Sequence, residues 1–143
     1  MKEKLEKVKN HLKSWGHSKL FAEANTAEIE SLEKLIKELK YHDPKENGCF
    51  KNSFIRLRQT QKEIADETKQ LEAAAEQTAN MIKNLGDEKL SNLLELRYRQ
   101  QMLWAEIAER TSYSESKVFA MHQKALLLVY QQIMVNYDII RVY

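Results

Sequence analysis

The sequence predicts an all-α protein, built as a long N-terminal helical arm followed by a smaller C-terminal head. Two observations carry this prediction. The 143 residues include only three Gly and one Pro, the two residues that helices tolerate least. Charged residues make up 31% of the chain and alternate with apolar residues at helical spacing over two long stretches. We expect the arm to span residues 1–85 and the head residues 86–143, with the break at Gly86-Asp87.

The composition says more about the cellular compartment of the protein than about its function. The formal net charge is +2 and the pI is about 8.5, which is too weakly basic to indicate nucleic-acid binding by itself. The single cysteine, Cys49, excludes an internal disulfide and suits a reducing compartment. The N-terminus has no apolar signal segment, and the longest uncharged run, residues 125–137, is too short to cross a bilayer. We expect a soluble protein of a bacterial cytoplasm that does not bind membranes.

The arm begins with a predicted amphipathic helix over residues 2–15. Its apolar face ends at Trp15, and Gly16 is predicted to terminate it. Residues 2–19 carry six Lys against two Glu, a net charge of +4. Two interpretations remain open for these lysines: a solvated face on a helix that docks through Trp15, or an arm that contacts phosphates.

Two longer helices are predicted over residues 18–41 and 51–85. Asp43-Pro44 and Asn47-Gly48 mark the connection between them. The second helix carries an apolar seam at seven-residue steps, formed by Leu57, Ile64, Leu71, Thr78 and Leu85. This seam can pack against the preceding helix as an antiparallel hairpin, against a second subunit as a coiled coil, or against both together, and the pattern does not decide among these.

The head reads as a lead helix over residues 88–100, then helix, tight turn and helix. Trp104, Ile107 and Ala108 form a short apolar stripe that stops at residues 111–113. Ser114 can cap a second helix of about residues 114–128. Val118, Met121 and Ala125 give this helix a buried stripe, so the pattern is typical of a helix-turn-helix DNA-binding domain.

The head resembles two groups of transcription proteins. It is similar to the helix-turn-helix of sigma-factor region four, and more so to phage late-transcription regulators of the ArpU and RinA type. The matching residues are Arg97-Tyr98, residues 104–108, Tyr113-Ser114, Val118 and Ala125-Leu126. The resemblance implies a phage or mobile-element regulator that activates late genes, binds double-stranded DNA and contacts bacterial RNA polymerase.

The residues expected to contact DNA lie opposite the buried stripe of the second helix. Gln can read adenine, Ser and Glu can accept from cytosine, and Phe or Ala can touch a thymine methyl group. Lysines and arginines nearby would reach phosphates, Arg97 among them. The candidate DNA-binding residues are Arg99, Arg110, Ser114, Glu115, Ser116, Lys117, Phe119, Ala120, Gln123 and Lys124.

The formal charge of the head favours an oligomer over a monomer as the DNA-binding species. Residues 86–143 hold seven basic and seven acidic side chains, so this segment is neutral. A neutral head binds DNA weakly alone, so we expect a dimer held by the heptad helices, or delivery by RNA polymerase. Such a dimer would place two heads about 34 Å apart.

Catalysis finds little support in the sequence. The four histidines lie in four separate segments, none at the spacing of a zinc-protease helix, and no Gly-rich phosphate loop occurs. We therefore expect no enzymatic activity, no cofactor and no metal. Two alternatives to DNA-dependent regulation remain: a protein-binding module with a helix-turn-helix fold, and a small phage DNA-packaging (terminase) subunit, which also joins such a fold to an oligomerising helix pair.

Overall fold

The computed structural model describes residues 2–135, and the regular elements in that range are all helices. The all-α prediction is thereby confirmed. The helices are α1 (Lys2–His42), α2 (Lys51–Lys83), α3 (Glu88–Leu94), a π-helix (Glu95–Arg99), α4 (Trp104–Thr111) and α5 (Glu115–Val135).

The chain forms two compact units that do not divide it at residue 85. Unit 1 comprises Met1–Ser18 together with Ala73–Tyr143, and unit 2 comprises Lys19–Glu72. Helices α1 and α2 therefore each contribute residues to both units. The boundary predicted at Gly86 follows the break in the helical pattern and stays a prediction.

Unit 2 is an antiparallel pairing of α1 with α2. The Asn25 side chain donates to Thr68 Oγ1 at 3.1 Å, and Gln61 donates to the Ile29 carbonyl oxygen at 3.2 Å. Partners later in α1 thus meet residues earlier in α2, as an antiparallel hairpin requires. Ile36 and Phe54 are buried. Of the two packings that the sequence left open, the one within a single chain is present.

Unit 1 is built around a core that joins the start of α1 and the end of α2 to the C-terminal helices. Across this core, the His11 ring is hydrogen bonded to the hydroxyl of Thr78, the polar residue of the heptad seam, at 3.2 Å. The largest buried cluster contains Val8, Leu12, Trp15, Met81, Ile82, Leu90, Leu94, Tyr98, Ala125, Leu126, Val129 and Ile133. The start of the predicted arm is therefore part of the support for α5.

Gly16 does not end a helix, contrary to the prediction from the sequence. Helix α1 continues through this position to His42. A Cβ atom on Gly16 would lie 2.0 Å from the carbonyl oxygen of Tyr98, so this position has no room for a side chain. Gly16 is therefore required for the close approach of α1 to the π-helix.

The lead helix predicted over residues 88–100 is also not uniform. Asp87 caps α3 by accepting from the backbone N–H groups of Lys89 and Leu90. From Glu95 the turns widen, and the Gln100 N–H donates to the Glu95 carbonyl oxygen, five residues back, at 3.0 Å. Such π turns are rare and often mark functional segments. Here the widened turns carry Tyr98 and both candidate arginines of this segment.

Candidate nucleic-acid interface

The connection between α4 and α5 is a tight turn built on Ser112. Ser112 adopts the left-handed conformation, with φ 62° and ψ 23°. This conformation is unusual for a residue with a side chain and ends α4 abruptly. Ala108 and Val118, on either side of the turn, are both buried in one cluster with Ile107, Leu93 and Leu96. The small side chain of Ala108 lets α4 and α5 approach each other.

Ser114 caps α5, as the sequence predicts. Its hydroxyl oxygen accepts from the Lys117 backbone N–H at 3.1 Å, and its carbonyl oxygen accepts from Val118 N–H at 3.0 Å. Glu115 follows in the first turn, where a negative charge is favoured by the helix dipole. The start of α5 is thereby fixed, and with it the direction of each side chain that follows.

Helix α5 has one buried and one exposed face over its first three turns. Val118 and Ala125 are buried and Met121 is half-buried, so the predicted inward stripe is present. Nine of the ten candidate DNA-binding residues are exposed: Arg110, Ser114, Glu115, Ser116, Lys117, Phe119, Ala120, Gln123 and Lys124. Eight of these nine lie in α5 or at its cap, and Arg110 lies in α4.

Arg99, the tenth candidate, is half-buried and contacts α1. Its Nη1 atom donates to the Trp15 carbonyl oxygen at 3.3 Å and lies 3.4 Å from the Ser18 hydroxyl. The guanidinium carbon also lies 5.1 Å from the centre of the Trp15 ring. These contacts join α1 to the π-helix, and DNA binding by Arg99 stays a prediction.

Arg97 likewise organises the approach to α4. Its guanidinium donates to the Met102 carbonyl oxygen at 2.9 Å and lies 4.3 Å from the centre of the Trp104 ring. Gln101, within the same turn, has a positive φ of 54°. The two contacts of Arg97 thus stabilise the connection between the π-helix and α4, which contains the positive φ of Gln101. Arg97 therefore supports the fold of this region.

A cluster of rings connects the exposed face of α5 to the core. The Phe119 ring, 47% exposed, lies 5.1 Å from that of Trp104, and Trp104 lies 4.6 Å from that of His122. His122 is buried, and its Nε2 atom is hydrogen bonded to the Tyr98 hydroxyl at 2.7 Å. Phe119 is therefore held in place by Trp104 and presents one side to solvent.

Burial sets the protonation state of this cluster. Burial, followed by the positive charges of Lys9 and Arg97, lowers the pKa of His122 to about 4. Burial likewise raises the pKa of Tyr98 to about 12. Both rings are neutral at pH 7, so the cluster adds no charge beneath the exposed face. The sequence indicated Tyr98 only through the Arg97-Tyr98 resemblance and gave no sign of its pairing with His122.

A cleft of about 380 Å³ lies on another side of the same helices. Its apolar wall includes Leu96, Ile107 and Met121, and its polar wall includes Lys89 and Arg110. Arg110 also lies 3.9 Å from the Met102 sulfur. The cleft therefore has a mixed polar and apolar lining that includes two cations, next to the turn between α4 and α5.

Within residues 2–135, no helix is both long enough and apolar enough to span a membrane. Comparisons of the chain with protein-family models, with curated protein sequences and with solved structures give no match.

Proposed function

We propose that this protein is a phage or mobile-element transcriptional regulator that binds double-stranded DNA with α5 in the major groove. One observation carries the proposal: the eight candidate residues at the start of α5 form an exposed face on a helix whose opposite face is buried. An exposed helix of this kind fits the width of the major groove. The resemblance to the ArpU and RinA regulators extends the proposal to activation of late genes and contact with RNA polymerase.

The side chains of this face divide into base-reading and phosphate-binding groups. Gln123 can pair with adenine, and Phe119 and Ala120 can contact a thymine methyl group. Lys117 and Lys124 lie seven residues apart on the same side of α5, where they can bind phosphates. Lys117 lies 4.1 Å from the centre of the Tyr113 ring, which orients its ammonium group at the start of the helix.

The proposal is tested by removing the two lysines together. Lys117→Ala with Lys124→Ala should weaken binding to duplex DNA. It should also lower the magnitude of the salt slope, the slope of the logarithm of the binding constant against the logarithm of the salt concentration, by about 1.8, at about 0.9 for each phosphate contact. Fluorescence anisotropy over a series of salt concentrations measures both quantities. Both side chains are exposed, so we expect little change in the unfolding midpoint.

The chain supplies a matched control for this test. Lys62 and Lys69 are exposed on α2, also seven residues apart, and their replacement by Ala changes the net charge equally. The control pair should keep the wild-type salt slope. Equal slopes in the two double variants would contradict the proposed interface.

A protein-binding module is the second candidate function, and the cleft beside α4 favours it. Its mixed lining and its two cations could hold an acidic side chain of a partner protein. Residues 86–143 are formally neutral, which lowers the electrostatic attraction of this segment for DNA. If the protein binds no duplex at low salt, this candidate replaces the DNA-binding proposal.

A dimer with two heads on an inverted repeat remains part of the proposal. Because unit 2 already pairs α1 with α2 inside one chain, a dimer would have to form with that hairpin intact. A ring of many subunits in a solution mass measurement would instead favour the DNA-packaging alternative.

A further inference from the structure

The first turns of α1 pack directly on α5. Val8, Leu12 and Trp15 share a buried cluster with Ala125 and Leu126. The ammonium group of Lys4 lies 5.5 Å from the centre of the Tyr130 ring, further along α5. The lysine-rich start of the chain is therefore fixed beside the helix that carries the candidate DNA-binding face.

The lysines of this segment follow two different sides of α1. Lys9 and Lys13 are four residues apart and lie together on one side. Lys4 and Lys7 lie on another side, where they line a cleft of about 350 Å³ with Tyr130, Ile133 and Met134. That cleft adjoins the C-terminal half of α5, which carries none of the candidate residues.

Lys9 lies seven residues before Gly16 and therefore on the same side of α1, the side that approaches the backbone of Tyr98. The Tyr98 hydroxyl is hydrogen bonded to His122 of α5, which is one helical turn from Phe119 and adjacent in sequence to Gln123. The positive charge of Lys9 also helps to lower the pKa of His122. Lys9 is 32% exposed and forms an ion pair with Glu6 at 3.6 Å, and Lys13 is exposed. An exposed ion pair of this kind contributes little to stability, so a phosphate can replace Glu6 as the partner of Lys9.

We propose that Lys9 and Lys13 form a second phosphate-binding row, which contacts the DNA backbone beside the segment read by α5. The inference rests on the proposed function, because it concerns the same DNA duplex. It selects the side of α1 that carries Lys9 and Lys13. These two lysines would then bind DNA instead of only facing solvent.

The charge distribution supports this inference. Residues 2–18 carry five Lys against two Glu, whereas residues 73–85 and 86–143 are each formally neutral. The net positive charge of unit 1 thus comes from the start of α1. Lysines that bind phosphates release condensed counterions, which supplies the sequence-independent part of DNA affinity.

The test compares two double variants of one helix. Lys9→Gln with Lys13→Gln removes the proposed row, and Lys4→Gln with Lys7→Gln removes the same charge from the other side of α1. The probe is a random-sequence duplex, because phosphate contacts do not depend on sequence. We expect the first variant to lower the magnitude of the salt slope by about 1.8 and the second to leave it unchanged.

Further variants separate loss of charge from loss of structure. Lys9→Arg with Lys13→Arg keeps both charges and should keep the wild-type slope, and thermal melting of all the variants should show an unchanged fold. Two variants with equal slopes, in a protein whose binding still depends on Lys117 and Lys124, would overturn this inference alone. A wild-type protein that binds no duplex, or binds it independently of Lys117 and Lys124, would overturn the proposed function and this inference together.

Discussion

At the scale of single residues, two buried polar side chains of unit 1 are partners of each other. His122 and Tyr98 are hydrogen bonded to each other, and both are neutral at pH 7. In the sequence, His122 is one of four histidines in separate segments, so no role is predicted for it. The fact that Tyr98 is its partner could not be predicted, because the two residues are 24 positions apart and neither lies in a spacing that indicates a pair.

The His122 pKa leads to a prediction about stability and pH. The folded value is about 4 and the ordinary value about 6.5, so the unfolded chain binds a proton that the folded chain excludes. The stabilising contribution is complete above about pH 6.5 and is lost as pH falls towards 4, and it amounts to about 1–3 kcal/mol. Urea unfolding at a series of pH values measures this decline.

Two substitutions separate the contribution of His122 from those of other groups. His122→Gln keeps a polar partner for Tyr98 and removes the titrating ring, so stability should fall less steeply between about pH 6.5 and pH 4 than in the wild type. His42 is exposed, and His42→Gln should retain the wild-type decline. An unchanged decline in His122→Gln would show that His122 does not control it.

At the scale of elements, the sequence predicts the type of each helix better than its limits. The Asp43-Pro44 and Asn47-Gly48 signals separate α1 from α2 as expected, with Asp43 Oδ2 accepting from the Gly48 N–H at 2.9 Å. The Ser114 cap and the buried Val118 also follow from local patterns. The π-helix has no such local signal, and its Tyr98 lies against Gly16 of α1 and His122 of α5.

Gly16 shows how a tertiary contact overrides a local rule. In an exposed helix, Gly→Ala stabilises by about 1 kcal/mol. At position 16 the added Cβ would collide with a backbone carbonyl, so we expect Gly16→Ala to destabilise the protein by about 1–3 kcal/mol instead. Thermal or urea unfolding monitored by circular dichroism gives the difference.

The exposed Ala27, also within α1, provides the matching helix-propensity control. Ala27→Gly should destabilise by about 0.5–1 kcal/mol, the ordinary effect of Gly in a helix. A Gly16→Ala variant that is more stable than the wild type would mean that α1 does not approach Tyr98 closely.

At the scale of the whole molecule, composition and periodicity were enough to predict an all-α chain, but not its division into units. Helical pattern breaks at Gly86, so the sequence places a boundary there. The core of unit 1 instead joins Leu12, Ile82 and Leu126, residues that no periodicity connects. Because of this packing, the lysine-rich start of α1 lies beside α5. The proposed phosphate-binding row depends on that arrangement.

The central claim is that the exposed face of α5 contacts duplex DNA, and site-directed cross-linking tests it most directly. A photoactivatable cross-linker attached to Ser116→Cys, in a Cys49→Ser background, probes this face in the full chain. Ser31→Cys, on the exposed surface of α1 in unit 2, is the control attachment site. The account predicts DNA cross-links from position 116 that far exceed those from position 31. Equal yields from the two positions, or none from position 116 while the protein remains bound to DNA, would contradict it.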